Sequence, residues 1–476
     1  MVLMKAGKNI ELSISQEVAQ GSWPLPKNKR TWTSWGLAGV ALSAGVAAWS
    51  YSIGGYVAYY LNATMGTLAM IAGCLVGMFF VVLATVPVSV KYGVENIASS
   101  KPIFGQKGSV FAILLQYASI VGWNCLLIIL FGKAVSEVLL ATGLLHSTSQ
   151  QIVTAISSLV AISISWISLR GGSAAVKNTS LIISLLVGLT GILIMYKLIS
   201  TVGITKIFHA KPLASSGDRL WDYTAGFEIL VASVLSWWPY MGGIVRMVPS
   251  SGKTLWPTML GMGLPTGVIS LIGLYSALAT GNYDPTKWFV EVGGIGFGII
   301  ALLFLALANI GTAIVGAYTT GIGLRQIKWI EKKTSWNQTT LIVLLPVAII
   351  CVFFADQFLN SIPSFLAFLG VVFAPIIGIQ ITDYFLLRKQ RISLNQLYMN
   401  GKESKYYFWK GVNVAAFISC IIGFFAYIYL LDPITYKSAS FFKYTSASIP
   451  VIILSGLCYF LLTKIIVIPS KKGDYL

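Results

Sequence analysis

The sequence predicts an all-α polytopic membrane protein, and three observations carry that prediction. Of 476 residues, 56% are hydrophobic and only 10% are charged, whereas soluble domains carry about 25% charged residues. The mean hydropathy is +0.79. Apolar runs of about 20 residues or more, long enough to cross a bilayer as helices, recur along the whole chain. They place twelve spans, at residues 34–60, 66–90, 109–139, 150–170, 179–200, 224–248, 256–280, 294–324, 339–357, 361–387, 411–431 and 446–468.

Basic residues set the orientation. Lys27, Lys29 and Arg30 precede the first span, Lys91, Lys101 and Lys107 follow the second, and Arg325, Lys328, Lys332 and Lys333 follow the eighth. Lys464, Lys471 and Lys472 follow the last. Most of the 33 lysines and arginines thus share one side with both termini, which the positive-inside rule makes cytoplasmic. The expectation is a multi-pass monomer in the plasma membrane. The net charge of +18 follows from the same bias, and its spread over short loops argues against nucleic acid as a partner. Cys74, Cys125, Cys351, Cys420 and Cys458 stand singly in apolar segments, so neither a disulfide framework nor a metal site is expected. The first thirty residues lack a hydrophobic signal core, and the first span is expected to direct insertion.

Taken in order, the first span has a centre of small residues, Leu42-Ser43-Ala44-Gly45-Val46-Ala47-Ala48 before Trp49, which suits close packing or local unwinding that frees carbonyls. The third holds Gly122-Trp123-Asn124, an aromatic beside an amide at membrane depth. A buried amide costs free energy unless it is hydrogen-bonded, either to a ligand or across a helix pair. Lys133 and Glu137, four residues apart near the outer end, are expected to pair with each other. The sixth span carries Ser236-Trp237-Trp238-Pro239-Tyr240-Met241-Gly242-Gly243. Proline removes a backbone donor and the glycines loosen the helix, so a break is expected there, with two tryptophan faces for a planar ligand. A proline kink with interfacial tryptophans is the plainer reading. Glu228, one or two turns into this span, is an intramembrane carboxylate and the proton-coupling candidate. The eighth holds Ala308-Asn309-Ile310-Gly311-Thr312, where Thr312 offers an oxygen to a cation. The tenth ends at Asp383-Tyr384, with Arg388 expected to form a surface ion pair. The histidines, His146 and His209, fall in outer loops, and no clustered His and carboxylates suggest an enzyme or channel.

Five spans separate the first from the sixth, so the two start on opposite sides of the membrane, and spans one to five and six to ten can be inverted repeats. In that architecture broken helices occupy corresponding positions and the substrate binds between them. The expected segments are a cytoplasmic 1–33, repeats 34–200 and 224–388 joined by an extracellular 201–223, a loop with two further spans over 389–468, and a cytoplasmic tail 469–476.

Six motifs then resemble the nucleobase:cation symporter-1 family, in order along nearly the whole chain. They are Lys29-Arg30-Thr31-Trp32, Lys91-Tyr92-Gly93-Val94, Phe104-Gly105-Gln106-Lys107-Gly108-Ser109, Ile381-Thr382-Asp383-Tyr384-Phe385, Leu397-Tyr398, and Trp409-Lys410-Gly411-Val412-Asn413. The resemblance implies a LeuT-like core of five plus five helices with two more at the C-terminal end. It also implies uptake of a small planar heterocycle, such as a nucleobase, hydantoin, allantoin or related vitamin, coupled to H+ or Na+ and without a cofactor. Asn124 and Trp123 match the family's third-helix substrate contacts. Val46, Val234 and Ala317 stand where relatives have a polar first-helix contact, a stacking tryptophan and an asparagine, and Trp237 and Trp238 follow Val234 by about one turn. Leu42, Gly45, Ala308, Gly311 and Thr312 match the sodium site, although Gly311 replaces a serine ligand. That shortfall, with Glu228, favours the proton. An amino-acid or amine carrier of the same core is the alternative, but Gly54-Gly55 lies late for the glycine pair that would meet a carboxylate.

Overall fold

The computed structural model describes residues 11–18, 23–46, 48–171, 179–399 and 401–475, and it is built of helices. Among these residues, eight helices are long and apolar enough to cross a membrane, and up to 10 are if each of two bent pairs is one span. Leu185–Thr201 and Val414–Leu430 are shorter apolar helices. The chain is a multi-pass membrane protein.

The first bent pair is α1 (Ser34–Gly45) and α2 (Trp49–Val57), at 62°. α3 (Ala63–Tyr92) starts where the Asn62 side chain accepts the Met65 N–H at 2.9 Å, and stops at Gly93, whose φ of 73° favours glycine. A short α4 (Asn96–Phe104) leads to α5 (Val110–Ala141), α6 (Gln150–Leu169) and α7 (Thr179–Thr201). The second bent pair is α8 (Arg219–Leu235) and α9 (Trp238–Val245), at 50°. Its break lies at the start of the expected stretch. It falls at Ser236–Trp237, ahead of the proline and glycines, because Pro239 sits in the first turn of α9, where a missing N–H costs nothing.

α10 (Leu264–Thr280) and α11 (Pro285–Arg325) follow. Asp284 caps α11 by accepting from the Thr286 N–H at 3.0 Å, and the helix kinks at Gly294, φ 71°, which is where the sequence puts the start of the eighth span. α12 (Trp336–Phe353), α13 (Ile362–Ile381), α14 (Val414–Leu430) and α15 (Ser448–Leu462) complete the chain. α11 lies along α5, α10 along α2, and α8 along α3, so the two broken spans are held inside a cage of long helices.

The motifs scattered along the sequence meet on one face. The Arg30 Nε donates to the Leu25 carbonyl at 2.9 Å and its Nη1 to the Val90 carbonyl, fastening the N-terminal segment to the end of α3. Asn413 donates to the Ile103 carbonyl at 2.6 Å, and the Lys107 N–H to the Gly411 carbonyl at 2.8 Å. Asp383 does pair with Arg388, at 2.7 Å, but not at the surface: the two side chains are 2% and 1% exposed. Arg388 also donates to the Pro102 carbonyl at 2.8 Å, and the Tyr459 and Tyr475 hydroxyls donate to Asp383 at 3.0 and 2.9 Å. These added donors compensate the desolvation of a buried ion pair. The expected Lys133–Glu137 pair is absent. Lys133 binds Asp284, 151 residues away, and Glu137 accepts from Gln150 at 2.6 Å.

Candidate functional site

A cavity of about 730 Å³ lies between α1, α5, α9 and α11, against both helix breaks. No side chain lining it is charged. Its inner portion is walled by Gly36, Gly39 and Val40 from the start of α1 and by Gly243 and Ile244 from the end of α9. Those two ends are joined, since the Trp32 N–H donates to the Met247 carbonyl at 3.1 Å and the Ser34 hydroxyl to the Lys253 carbonyl at 2.9 Å. The cavity therefore extends toward the face that carries the N-terminal segment.

The other end is closed by aromatic rings. Trp123 lies with its ring 5.0 Å from Trp49 at 51° and 5.4 Å from Phe365, edge-on at 81°. Gly122 makes the second contact possible, because a Cβ there would stand 2.2 Å from the Phe365 ring. The Trp123 indole N–H donates to the Ser236 hydroxyl at 3.3 Å, which in turn donates to the Ser233 carbonyl at 2.6 Å, so the α8–α9 break fixes the plane of a tryptophan on α5. Further out, the Tyr56 hydroxyl donates to the Leu359 carbonyl at 2.8 Å, and Lys133 pairs with Asp284.

Of the residues singled out from the sequence, the structure gathers four on the wall: Trp123, Asn124, Trp237 and Thr312. Trp237 meets Tyr240 edge-on, with centroids 6.0 Å apart. Asn124 is 1% exposed, and its Nδ2 has no partner among the described residues. Its Oδ1 is 3.1 Å from where a Gly316 Cβ would be, so the glycine provides room for the amide. Thr312 donates to the Ala308 carbonyl at 2.9 Å, which leaves both lone pairs of its hydroxyl available.

The others lie elsewhere. Trp238 is 0% exposed, its indole N–H bonded to Gln380 and its ring 6.3 Å from Phe373; it packs rather than lines. Val234 is buried toward Gly77 of α3, and Ala317 and Gly311 are buried within the wall of α11. Val46 packs with Ala48 and Tyr51. On α1, Leu42 is 48% exposed, and Gly45 faces α10, where the Thr266 hydroxyl donates to its carbonyl at 3.4 Å. Of the expected cation ligands, Thr312 is on the cavity wall, while Leu42, Gly45, Ala308 and Gly311 are not among the lining residues. Glu228 does not line the cavity. Sequence reasoning missed Trp49, Ser236, Tyr240 and Thr319 as wall residues. Ser236 and Tyr240 stood in the expected break beside the two tryptophans, and Trp49 closed the small-residue stretch of the first span, but none of them was assigned to the substrate.

Over residues 24–449 the chain matches the family described as permease for cytosine/purines, uracil, thiamine, allantoin. The purine-uracil permease NCS1 of Arabidopsis thaliana is 22% identical over 353 residues, which cover 70% of this chain and 58% of that permease. The match therefore spans less than two thirds of that relative's length. Among solved structures, Mhp1 in an inward-facing conformation aligns with a TM-score of 0.74 at 18% identity, covering 93% of this chain and 94% of its own. Mhp1, described as a nucleobase-cation-symport-1 family transporter, in a closed conformation with bromovinylhydantoin bound, aligns with a TM-score of 0.70 at 18% identity, covering 94% and 96%. These structures share the fold.

Proposed function

This chain belongs to the family of permeases for cytosine and purines, uracil, thiamine and allantoin, and from that premise we propose that it is a secondary active transporter importing a small, neutral, planar heterocycle by cation symport. A nucleobase, a hydantoin or allantoin, or a related uncharged vitamin fits the proposal. The observation that carries it is the cavity: rings of Trp49, Trp123 and Trp237 beside the Asn124 amide, with no charged side chain on the wall. Flat rings bind flat ligands by stacking, and an amide presents a donor and an acceptor to a heterocycle edge. An amino acid would bring two charges against a wall that has no charged side chain to pair with them.

The proposal includes the wider architecture. The chain is read as twelve spans, with repeats over 34–200 and 224–388, an N-terminal segment 1–33, a loop 201–223, two further spans within 389–468 and a tail 469–476. With both termini in the cytoplasm of a plasma-membrane monomer, the cavity of this conformation opens inward. Alternating access would close that side and open the one sealed by Phe365, Tyr56 and the Lys133–Asp284 pair.

For the driving ion, the sequence favoured the proton, through Glu228. Our reading turns to sodium, because Glu228 is not among the residues lining the cavity and its carboxylate accepts from Tyr427, Ala447 and Ser448. Thr312 fits a sodium ligand better: it lines the cavity and keeps both lone pairs of its hydroxyl. Leu42, Gly45, Ala308 and Thr312 would hold the ion. Uptake into vesicles is expected to need sodium and to fail with a pH gradient alone, and Thr312→Ala should lose the sodium dependence. Full uptake from the pH gradient without sodium would assign the proton instead.

A further inference from the structure

The buried Glu228 is used by neither the cavity nor the ion set, yet it is among the most completely bonded side chains in the protein. Its carboxylate, 2% exposed, accepts from the Tyr427 hydroxyl at 2.7 Å, from the Ser448 N–H at 3.2 Å and hydroxyl at 2.5 Å, and from the Ala447 N–H at 3.3 Å. These donors belong to α14, to the first residue of α15 and to Ala447 just before it. Ser448 opens α15, so Glu228 caps the positive end of that helix from another element.

The contact is one of a row. Along α8, the Asp218 carboxylate pairs with Lys443 at 2.9 Å, the Trp221 indole donates to the Ser438 hydroxyl at 2.8 Å, and the Thr224 hydroxyl donates to the Lys443 carbonyl at 2.8 Å. The half-span below the break has other partners. Trp238 is pinned to Gln380, Asn96 donates to the Trp238 carbonyl, and the far end of α9 is bound to the segment before α1 through Trp32 and Met247. Both halves of the span pack on α3 and reach α13, but the bonds to α14, α15 and the segment between them come from α8 and its N-cap, and the joint between the halves, Ser236–Trp237, is on the cavity wall.

We propose that Glu228 is an anchor: its carboxylate rivets the outer half of the broken span to α14 and α15, so that movement at the Ser236–Trp237 joint is carried by α9. Glu228 is therefore a positioning residue rather than a carrier of the coupling ion. The clasp itself does not depend on what is transported, and only the consequence for transport rests on the function proposed above.

The test needs no substrate. Spin labels at Leu220→Cys on α8 and Ile453→Cys on α15, both exposed positions, report the spacing of the two helices in purified full-length protein. The expected result is a single narrow distance distribution that broadens or splits in Glu228→Gln, with a lower thermal unfolding midpoint. Tyr427→Phe removes one donor only, and is expected to act in the same direction if the glutamine variant fails to fold. An unchanged distribution and midpoint in both variants would overturn the anchor. So would an unchanged structure in Glu228→Gln that retains substrate exchange while losing gradient-driven uptake, because that is how an ion carrier behaves. Failure of the transport proposal would instead appear as absent uptake with the label result intact.

Discussion

Replacing Asn124 by alanine is expected to abolish transport while the protein still folds and inserts. The Asn124 Nδ2 is buried without a partner among the described residues, a state costing about 1–3 kcal/mol, so its removal takes nothing from the fold. A ligand edge in the cavity would satisfy that donor, and sites built to bond a ligand discriminate strongly once the match is lost. Trp123→Ala is expected to weaken binding by about 5- to 150-fold, the equivalent of about 1–3 kcal/mol for one base stacked on an aromatic ring. Trp238→Ala, one residue from a wall tryptophan, should behave differently: a loss of about 3–5 kcal/mol in stability, with the affinity of the folded fraction unchanged. Equilibrium binding and thermal unfolding of the three variants separate these outcomes. Wild-type transport in Asn124→Ala would make the amide a helix-bridging group.

Alanine at Gly54 or at Gly273 is expected to prevent recovery of folded protein. The two glycines let the first and seventh spans approach reciprocally. A Cβ on Gly54 would stand 1.8 Å from the Ser270 carbonyl, and one on Gly273 would stand 1.9 Å from the Tyr51 carbonyl. Both obstacles are backbone, which cannot rotate aside as a side chain can, so α2 and α10 would have to part. α2 carries Tyr56, and its first residue, Trp49, is on the cavity wall, so the damage would reach the site. Gly243→Ala is the control, since nothing lies within 4 Å of its Cβ direction. Size-exclusion profiles of detergent-extracted variants provide the readout, and a monodisperse Gly273→Ala would contradict the packing described.

The helical membrane fold was legible because hydropathy and span length are properties of each segment alone. The helix breaks were legible nearly to position: small residues marked the first, while the second falls at the start of its expected stretch because Pro239 serves the start of α9 instead of interrupting a helix. Facing was not legible. Trp237 and Trp238 are neighbours in sequence but point about 100° apart on a helix, and nothing in their order says which one sees the cavity. Val234 and Ala317 entered through correspondence with relatives, and both lie on packed faces. Partners remote in the chain were equally hidden. The spacing of four residues favoured Lys133 with Glu137, whereas the bond is to Asp284, and Glu228 meets donors 199 and 220 residues away. A charge in an apolar segment suggests function until its partners are visible.

An uncharged aromatic cavity should carry a neutral planar ring. The most direct test is cation-driven uptake into proteoliposomes of purified protein, measured with tritiated nucleobases, hydantoin, allantoin and amino acids in turn and with each as competitor of the others. At least one neutral heterocycle should accumulate, only other planar neutral rings should compete with it, and both accumulation and competition should vanish in Asn124→Ala. Accumulation of an amino acid, with the heterocycles neither transported nor competing, would contradict that expectation.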